Sequence, residues 1–255
     1  MKYDVMLCKV TDKKQLTADV FDITVSAGDI ALNAKPGQFA HIYIPGKTLR
    51  RPISICEINR KEQTLRFVFQ IRGEGTQMLA ETKRGDVLNI LAPLGNGFDL
   101  GDTNRKAVFV GGGIGVPPLL EAAKAFGNNA VAVTGFRNKS SIILKEDFES
   151  NGIKVIIATD DGSYGHHGVV TDCLEDLDFD VIFACGPTPM LKSVCNYAEK
   201  RGAECQISLE ERMACGIGAC LGCACKLRKD GREYYGHVCK DGPVFDYKSV
   251  VWEGR

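Results

Sequence analysis

The sequence lacks an excess of charge of either sign: Lys and Arg together number 32, and Asp and Glu also number 32. Proteins that bind nucleic acid or acidic membrane surfaces concentrate positive charge, so this balance argues against both partners. Long apolar runs are also missing, since no segment approaches the ~18 to 20 apolar residues that span a bilayer. We therefore expect a protein that binds neither nucleic acid nor a membrane.

The amino terminus, MKYDVMLCKVTDKKQL, has no apolar stretch like that of a signal peptide. We therefore expect a cytoplasmic protein. In that reducing compartment eleven cysteines, an odd number, argue against a disulfide framework. Metal binding becomes the favoured explanation for cysteines that cluster.

The 255 residues divide into three ranges of different pattern. Residues 1–101 contain short strand-like segments between Gly, Pro and Asn turns, which predicts an antiparallel β-barrel. Residues 102–210 alternate apolar β-branched runs with amphipathic helical segments, VVTDCLEDL among them, which predicts a doubly wound α/β parallel sheet. Residues 211–255 are rich in Gly and Cys, and so few residues bury little apolar surface without a metal. We predict a multidomain protein with these three parts.

Five cysteines crowd the last range, around the stretch ERMACGIGACLGCACK. Four of them follow the spacing Cys-x4-Cys-x2-Cys-x15-Cys, the plant-type order of ligands around a [2Fe-2S] cluster. Structural zinc is the alternative, but zinc sites favour two short Cys-x2-Cys pairs and only one such pair occurs here. Small residues in the loop allow backbone N–H groups to point at the sulfur atoms. The predicted cluster ligands are Cys215, Cys220, Cys223 and Cys239.

Cys225 is the fifth cysteine of this group. The strand-like CACKLRK would carry its thiol away from the ligand loop, so we expect it to pack in the interior. Six further cysteines are scattered along the chain. We expect a packing role for five of them, namely Cys8, Cys56, Cys173, Cys195 and Cys205.

Two segments of the barrel range carry candidate flavin-binding residues. RRPISI places an arginine and a hydroxyl at the start of a strand, where they can hold a flavin ring and its phosphate. IRGEGT offers backbone N–H groups at the start of a helix. Taken singly, each is more typical of a strand edge or a turn. The candidates are Arg51, Pro52, Ile53, Ser54, Gly73, Gly75 and Thr76.

Two segments of the α/β range predict a nucleotide site at one edge of the sheet. VFVGGGIGVPPLL runs from a strand into a helix through a glycine-rich turn that lets a phosphate approach the backbone. FACGPTPML ends a later strand at the same edge, and its cysteine either flanks a nicotinamide or fills buried space. We interpret the histidines of SYGHHG as solvated loop residues. The candidates are Gly111, Gly112, Gly113, Gly115, Cys185, Gly186, Pro187 and Met190.

The order RPIS, GGGIGVPPL and CGPTPM resembles the ferredoxin reductase superfamily. With ERMACGIGACLGCACK and CKDGPVF added, essentially the whole chain resembles one family, the electron-transfer subunits of class 1B dihydroorotate dehydrogenase. The resemblance implies FAD, NAD and a [2Fe-2S] cluster held by the four cysteines. It also implies a flavin site formed by Arg51, Pro52, Ile53, Ser54, Val68, Phe69, Gln70, Gly75 and Thr76.

The resemblance further implies a partner, an FMN-containing catalytic subunit that oxidises dihydroorotate, in a heterotetramer with two copies of each chain. Electrons would pass from that FMN through the cluster and FAD to NAD+, in pyrimidine biosynthesis. No catalytic side chain is expected, because hydride transfer between nicotinamide and flavin requires orientation of the cofactors. Arg137 and Lys139 leave NADP open, since both can attract a 2'-phosphate.

Three other functions remain open at this point. Two belong to the same superfamily: the small subunit of a sulfide dehydrogenase, and that of a ferredoxin:NADP oxidoreductase. The third is a non-catalytic redox sensor, in which the cluster reports oxidation. Reduction of bound flavin by NADH would argue against the sensor, and a co-purifying subunit would distinguish the others.

Overall fold

The computed structural model describes residues Tyr3 to Trp252, which form two compact units. The first unit contains residues 3–97 with Glu210–Cys225 and Tyr235–Val244. The second contains Phe98–Leu209, Lys226–Tyr234 and residues 245–252. The predicted range 211–255 therefore contributes to both units. Its status as a separate domain, like the boundaries after residues 101 and 210, stays a prediction.

The first unit is built around a closed barrel of six antiparallel strands in the order β1-β2-β5-β4-β3-β6. The strands are β1 (Asp4–Gln15), β2 (Val20–Ser26), β3 (Phe39–Ile42), β4 (Arg51–Asn59), β5 (Thr64–Gln70) and β6 (Val87–Leu94). Two short helices accompany them, α1 (Asp29–Asn33) and α2 (Glu74–Ala80). The antiparallel barrel predicted from the sequence is confirmed.

Alternation of side chains explains how these strands close around a core. Successive residues of a strand point to opposite faces. In β5, TLRFVFQ, the side chains of Leu65, Phe67 and Phe69 belong to the buried core of the barrel, whereas Arg66 and Gln70 are partly exposed. In β3, Ala40 and Ile42 belong to the same core. The alternate residues of these strands, such as Arg66 in β5 and His41 in β3, therefore lie on the outer face of the barrel.

The second unit contains a seven-stranded sheet in the order β10-β9-β8-β7-β11-β12-β15. Its strands are β7 (Ala107–Gly112), β8 (Ala130–Phe136), β9 (Lys154–Thr159), β10 (His166–His167), β11 (Val181–Cys185), β12 (Glu204–Ser208) and β15 (Val244–Asp246). The helices are α3 (Pro117–Phe126), α4 (Lys145–Glu149) and α5 (Thr188–Arg201). A separate two-stranded sheet joins β13 (Ala224–Lys229) and β14 (Arg232–His237).

The strands from β10 to β12 pair in parallel, so the predicted α/β sheet is confirmed. Strands β7 and β11 are neighbours, and Gly111 lies opposite Cys185. The glycine-rich turn after β7 and the segment after β11 therefore meet at the carboxyl edge of the sheet. Ligands of open parallel sheets bind at this edge.

Two segments differ from the sequence expectation. VVTDCLEDL, read as part of a helix, forms only a short 3-10 helix over Val170–Leu174. The histidines of SYGHHG, read as loop residues, form the short edge strand β10, in which they pair with Ala158 and Thr159. Both side chains are exposed, as expected. None of the helices between Tyr3 and Trp252 is long and apolar enough to cross a membrane.

Candidate functional site

The four predicted cluster ligands lie in one part of the first unit. Cys215 and Cys220 belong to the loop before β13, Cys223 immediately precedes that strand, and Cys239 follows β14. The Val238 amide donates a hydrogen bond of 3.0 Å to the Cys223 carbonyl. This contact brings the distant fourth cysteine to the loop that carries the other three.

Backbone amides of the cysteine loop point at the sulfur atoms. The Ala219 and Ile217 amides lie 3.2 and 3.5 Å from the Cys215 Sγ, and the Gly218 amide lies 3.1 Å from the Cys239 Sγ. Gly216 and Gly218 have φ angles of +73° and +81°, a backbone region that glycine adopts without strain. Such N–H groups stabilise negative charge on sulfur. The loop therefore suits thiolate ligands.

The four thiols form two hydrogen-bonded pairs, Cys215 with Cys220 and Cys223 with Cys239. Between Tyr3 and Trp252 no group of three or more Cys, His, Asp or Glu side chains converges as ligands of one metal ion do. Each iron of a [2Fe-2S] cluster takes two protein ligands. The donor set therefore fits a cluster of two irons.

Cys215 and Cys239 differ in their pKa values. Partial burial raises the pKa of Cys215, but the hydrogen bonds from the amides of Ile217 and Ala219 and from Cys220 outweigh burial and lower the pKa to about 6. For Cys239, burial and the neighbouring Cys223 thiol raise the pKa to about 12. Since ligation requires thiolates, occupation of this site releases protons. Cys215 and Cys220 are the more accessible pair, and Cys223 and Cys239 are buried.

Cys225 lies within β13 and is 1% exposed, in agreement with a packing role. The scattered cysteines follow the same pattern, with one partial exception. Cys173 is half-buried, whereas the remainder are buried: Cys8, Cys56, Cys185, Cys195 and Cys205.

The candidate flavin residues of β4 and α2 lie close together. A Cβ added at Gly75 would lie 2.3 Å from the Arg51 Nε, so the guanidinium rests on the start of α2. The Thr76 hydroxyl accepts hydrogen bonds from the amides of Arg72 and Gly73, at 2.8 and 3.2 Å. These bonds hold the first turn of α2 beside Arg51. An anion binds favourably at such a place.

The candidate residues of β4 and β5 divide between the two faces of the barrel wall. Ile53 packs against the core and Phe69 belongs to it, so these two residues present only their backbone to a ligand outside. The Gln70 side chain donates a hydrogen bond of 2.6 Å to the Asp19 carboxylate. Pro52 lies opposite His41 of β3 in the strand pairing, and Ser54 lies opposite Phe39.

Sequence reasoning missed His41. It is fully buried, and among the described residues neither ring nitrogen has a hydrogen-bond partner. A motif search does not find it, because AHIYI reads as an ordinary strand. The only signal is a polar residue in an otherwise apolar segment.

The candidate nucleotide residues meet at the carboxyl edge of the sheet. A Cβ at Gly112 would lie 2.6 Å from the Met190 Sδ and 2.9 Å from the Pro187 Cδ. A Cβ at Gly115 would lie 2.4 Å from the Cys185 carbonyl oxygen and 2.6 Å from the Gly186 Cα. The absence of a side chain at these two glycines therefore allows the turn after β7 to pack closely against the segment after β11.

Gly113 differs from its neighbours in the turn. It has a φ of +53° and no atom within 4 Å of an added Cβ. Gly111 is instead packed on Val116 and Leu119. Open space beside the backbone, which a phosphate requires, is thus present at Gly113, while Gly111, Gly112 and Gly115 are needed for packing.

The candidate 2'-phosphate residues lie in the loop after β8. The Lys139 amide donates to the Ser163 hydroxyl at 2.8 Å, and the Asp161 amide donates to the Arg137 carbonyl at 3.3 Å. Hydrogen bonds from Ser163 lower the pKa of the Asp161 carboxyl. The loop with its two cations therefore contacts the turn after β9, which carries the Asp161 carboxylate, and this mixture of charges does not select between NAD and NADP.

A cavity of about 350 Å³ lies at the opposite edge of the sheet. Asp180 and Glu204, at the starts of β11 and β12, line it together with Arg105 and Arg201. Since nucleotides bind at the carboxyl edge, this cavity is separate from the candidate nucleotide site.

Residues 210–251 match the model of the iron-sulfur cluster binding domain of dihydroorotate dehydrogenase B. A relative from Streptococcus mutans, named dihydroorotate dehydrogenase B (NAD(+)), electron transfer subunit, is 43% identical over 251 residues, covering 95% of this chain and 96% of the relative. A relative of the same name from Geobacillus thermodenitrificans is 42% identical, with the same coverage.

Solved structures of ferredoxin reductases have a similar fold. The structure of an NADH-dependent reduced ferredoxin-NADP oxidoreductase, described for flavin-based electron bifurcation, has a TM-score of 0.86 and 30% identity, covering 97% of this chain and 91% of that one. The ferredoxin reductase of carbazole 1,9a-dioxygenase has a TM-score of 0.68 at 20% identity, covering 80% of this chain and 67% of that one, and shows the fold alone.

These comparisons confirm the predicted fold, with its C-terminal iron–sulfur binding domain. They also confirm the predicted cofactors at the level of the family: FAD, NAD and a [2Fe-2S] cluster. The role that follows is electron transfer within an oxidoreductase. The chain belongs to the family of dihydroorotate dehydrogenase B electron transfer subunits.

Proposed function

We propose that this chain is the NAD-reducing subunit of a complex that oxidises dihydroorotate. It receives electrons from the FMN of a catalytic partner subunit and delivers them, by way of its [2Fe-2S] cluster and FAD, to NAD+. The names of the relatives, at up to 43% identity, support the subunit role. The assembly that we propose is a heterotetramer with two copies of each chain.

The paired thiols are the observation that carries this proposal. Two pairs with backbone N–H groups directed at the sulfur atoms suit a one-electron iron–sulfur carrier better than a single metal ion. The ligands that we propose are Cys215, Cys220, Cys223 and Cys239.

We propose two nucleotide sites in addition to the cluster site. For FAD, the residues are Arg51, Pro52, Ile53, Ser54, Val68, Phe69, Gln70, Gly75 and Thr76. For NAD, they are Gly111, Gly112, Gly113, Gly115, Cys185, Gly186, Pro187 and Met190. When bound, FAD supplies both hydride and single-electron chemistry, which links a nicotinamide to a one-electron cluster.

The protein's own part in this chemistry is to bind and orient. Arg51 and the start of α2 offer a cation and N–H groups to a phosphate. The side chains of Pro52 and Ser54 form part of the outer face of the barrel, where a flat ring can rest on them. At the nucleotide turn, the open backbone at Gly113 admits a phosphate. No side chain has to move a proton for hydride transfer between the cofactors.

Co-expression with an FMN-containing dihydroorotate-oxidising subunit tests the function. We expect the two chains to co-purify as a heterotetramer by native mass spectrometry, and the complex to reduce NAD+ when dihydroorotate is added. The catalytic subunit alone serves as the control. A complex that forms but leaves NAD+ unreduced would contradict the proposed acceptor.

One observation favours a second candidate, the small subunit of a ferredoxin:NADP oxidoreductase. That is the TM-score of 0.86, at 30% identity, with the NADH-dependent reduced ferredoxin-NADP oxidoreductase structure. Co-expression with a dihydroorotate-oxidising subunit distinguishes the two candidates, since the second predicts no complex with that partner.

The flavin assignment predicts the effect of removing one cation. Arg51→Gln is expected to weaken FAD binding roughly 10- to 100-fold, because a hydrogen bond to a charged group contributes about 1.5–3 kcal/mol. Titration of the FAD-depleted chain with FAD, followed by flavin fluorescence, measures the change. Arg84→Gln, an exposed arginine of the same unit, is the matched control. If the Arg51 variant and the control bind FAD with equal affinity, Arg51 is not part of the flavin site.

A further inference from the structure

His41 lies on the outer face of the barrel, between the cysteine loop and a strand of the proposed flavin site. Its neighbours along β3, Ala40 and Ile42, point into the barrel core. Across the strand pair, His41 lies opposite Pro52 of β4. Directly opposed residues of an antiparallel pair share one face of the sheet. The imidazole and the Pro52 ring are therefore neighbours on the same face.

The cysteine loop covers the other side of the imidazole. A Cβ added at Gly216 would lie 2.6 Å from the His41 Nδ1 and 3.3 Å from its Cγ and Cε1. Only glycine allows the backbone this close to the ring. Gly216 directly follows Cys215, so the turn that presents a proposed cluster ligand rests on His41.

The buried imidazole has a polar atom that lacks a well-formed hydrogen bond. An imidazole carries at least one N–H in either protonation state. Neither ring nitrogen makes a hydrogen bond of good geometry among residues 3–252, although the Cys215 backbone lies close to the ring. A buried donor without an acceptor costs about 1–3 kcal/mol. Native proteins rarely retain such a group unless something that binds satisfies it.

We propose that His41 is a positioning residue of the electron relay, whose Nδ1–H donates to the Cys215 side of the cluster loop when the cluster is bound. This inference rests on the proposed function, because it requires the cluster and FAD to be held by the residues assigned above. A hydrogen bond to the ligand side of an iron–sulfur cluster favours its reduced, more negative form and raises its potential. His41 would thus raise the reduction potential of the cluster while it also contacts β4, a strand of the proposed flavin site.

Three variants test the role of the donor. His41→Leu removes it; His41→Asn keeps an N–H near the position of Nδ1; His41→Gln moves the N–H towards the position of Nε2. The readout is the midpoint potential of the cluster in the full chain carrying FAD and cluster, measured by a redox titration followed by electron paramagnetic resonance. His167→Leu, an exposed histidine in the second unit, is the matched control.

We expect His41→Leu to shift the reduction equilibrium about tenfold towards the oxidised cluster, which for a one-electron couple is about 59 mV. His41→Asn is expected to recover most of the shift, and His41→Gln much less. The control should keep the wild-type potential. Iron, sulfide and FAD contents of each variant separate a change of potential from a loss of cofactor.

Several results would overturn the inference. The first is a potential for His41→Leu equal to that of the control, and the second is a shift of the flavin potential alone. If His41→Leu fails to fold, the Asn and Gln variants decide, and equal potentials for those two reject a donor at Nδ1. A wild-type chain that takes up neither cluster nor FAD would reject the proposed function as well, whereas a loaded wild type with unresponsive His41 variants rejects this inference alone.

Discussion

Cys223→Ser is expected to abolish electron transfer from the partner while leaving flavin chemistry intact. Cys223 is buried and paired with Cys239, so a serine oxygen there leaves one proposed iron site with an incomplete ligand set. We expect loss of iron and sulfide and a fall of more than ~100-fold in dihydroorotate-dependent NAD+ reduction, since even outer partners of metal ligands contribute 10- to 100-fold. Reduction of the bound flavin by NADH should persist.

The matched control for this change is Cys225→Ala. Cys225 lies two residues further on and is equally buried, but it belongs to β13 and is not one of the proposed ligands. We expect its loss to lower the free energy of unfolding by about 1 kcal/mol and to leave the cluster in place. Iron analysis, visible absorption and both activities are measured on the two variants. A Cys225 variant without cluster, or a Cys223 variant with one, would contradict the ligand assignment.

Gly115→Ala is expected to disable the nucleotide site. Its new methyl group would lie 2.4 Å from the Cys185 carbonyl oxygen and 2.6 Å from the Gly186 Cα. Both are backbone atoms, which cannot move aside as a flexible side chain does, so the two turns must separate. We expect a loss of about 1–3 kcal/mol in unfolding free energy. Reduction of the flavin by NADH should become slow even at high NADH, whereas reduction of the cluster by dihydroorotate in the complex should be retained.

Gly127→Ala separates this effect from a general cost of adding a methyl group. Gly127 lies in the same unit with a φ of +51°, and nothing is within 4 Å of an added Cβ. Alanine there meets only the backbone strain of a positive φ, about 1–3 kcal/mol, and should leave flavin reduction by NADH unchanged. Stopped-flow absorbance and urea unfolding provide the measurements. Normal NADH reactivity in the Gly115 variant would show that the close packing of the turns is dispensable.

Local spacing predicted much of the candidate site, because several chemical requirements are met within a few residues. Three cysteines within nine positions, from Cys215 to Cys223, can only lie on one loop. Glycines between them let the backbone turn amides towards sulfur, which the structure bears out at Gly218 and Ala219. Alternating apolar runs likewise predicted the parallel sheet, since the hydrophobic periodicity of a strand or helix can be recognised within a short stretch of sequence.

Two features have causes that inspection of the sequence did not reveal. The glycine-rich turn was expected to make room for a phosphate, and only Gly113 has that room. Gly112 and Gly115 are glycines because the segment after β11 packs on them. That segment is some seventy residues away in the chain, so sequence inspection detects the glycines without their neighbours. The prediction of a helix for VVTDCLEDL was wrong for a related reason. Its local pattern is that of a helix, but only Val170–Leu174 form a short 3-10 helix.

The sequence by itself determined the class of fold and the spacing of the cysteines, because each depends on residue types at short separations, and the order of its motifs along the chain carried the resemblance that implied the three cofactors. Tertiary structure alone decided that the thiols form two pairs, that the nucleotide turn packs against the end of β11, and that a buried histidine lies beneath Gly216. The physical reason is that these contacts join segments far apart in the chain. They exist only after the barrel and the sheet have closed, and no local propensity encodes them.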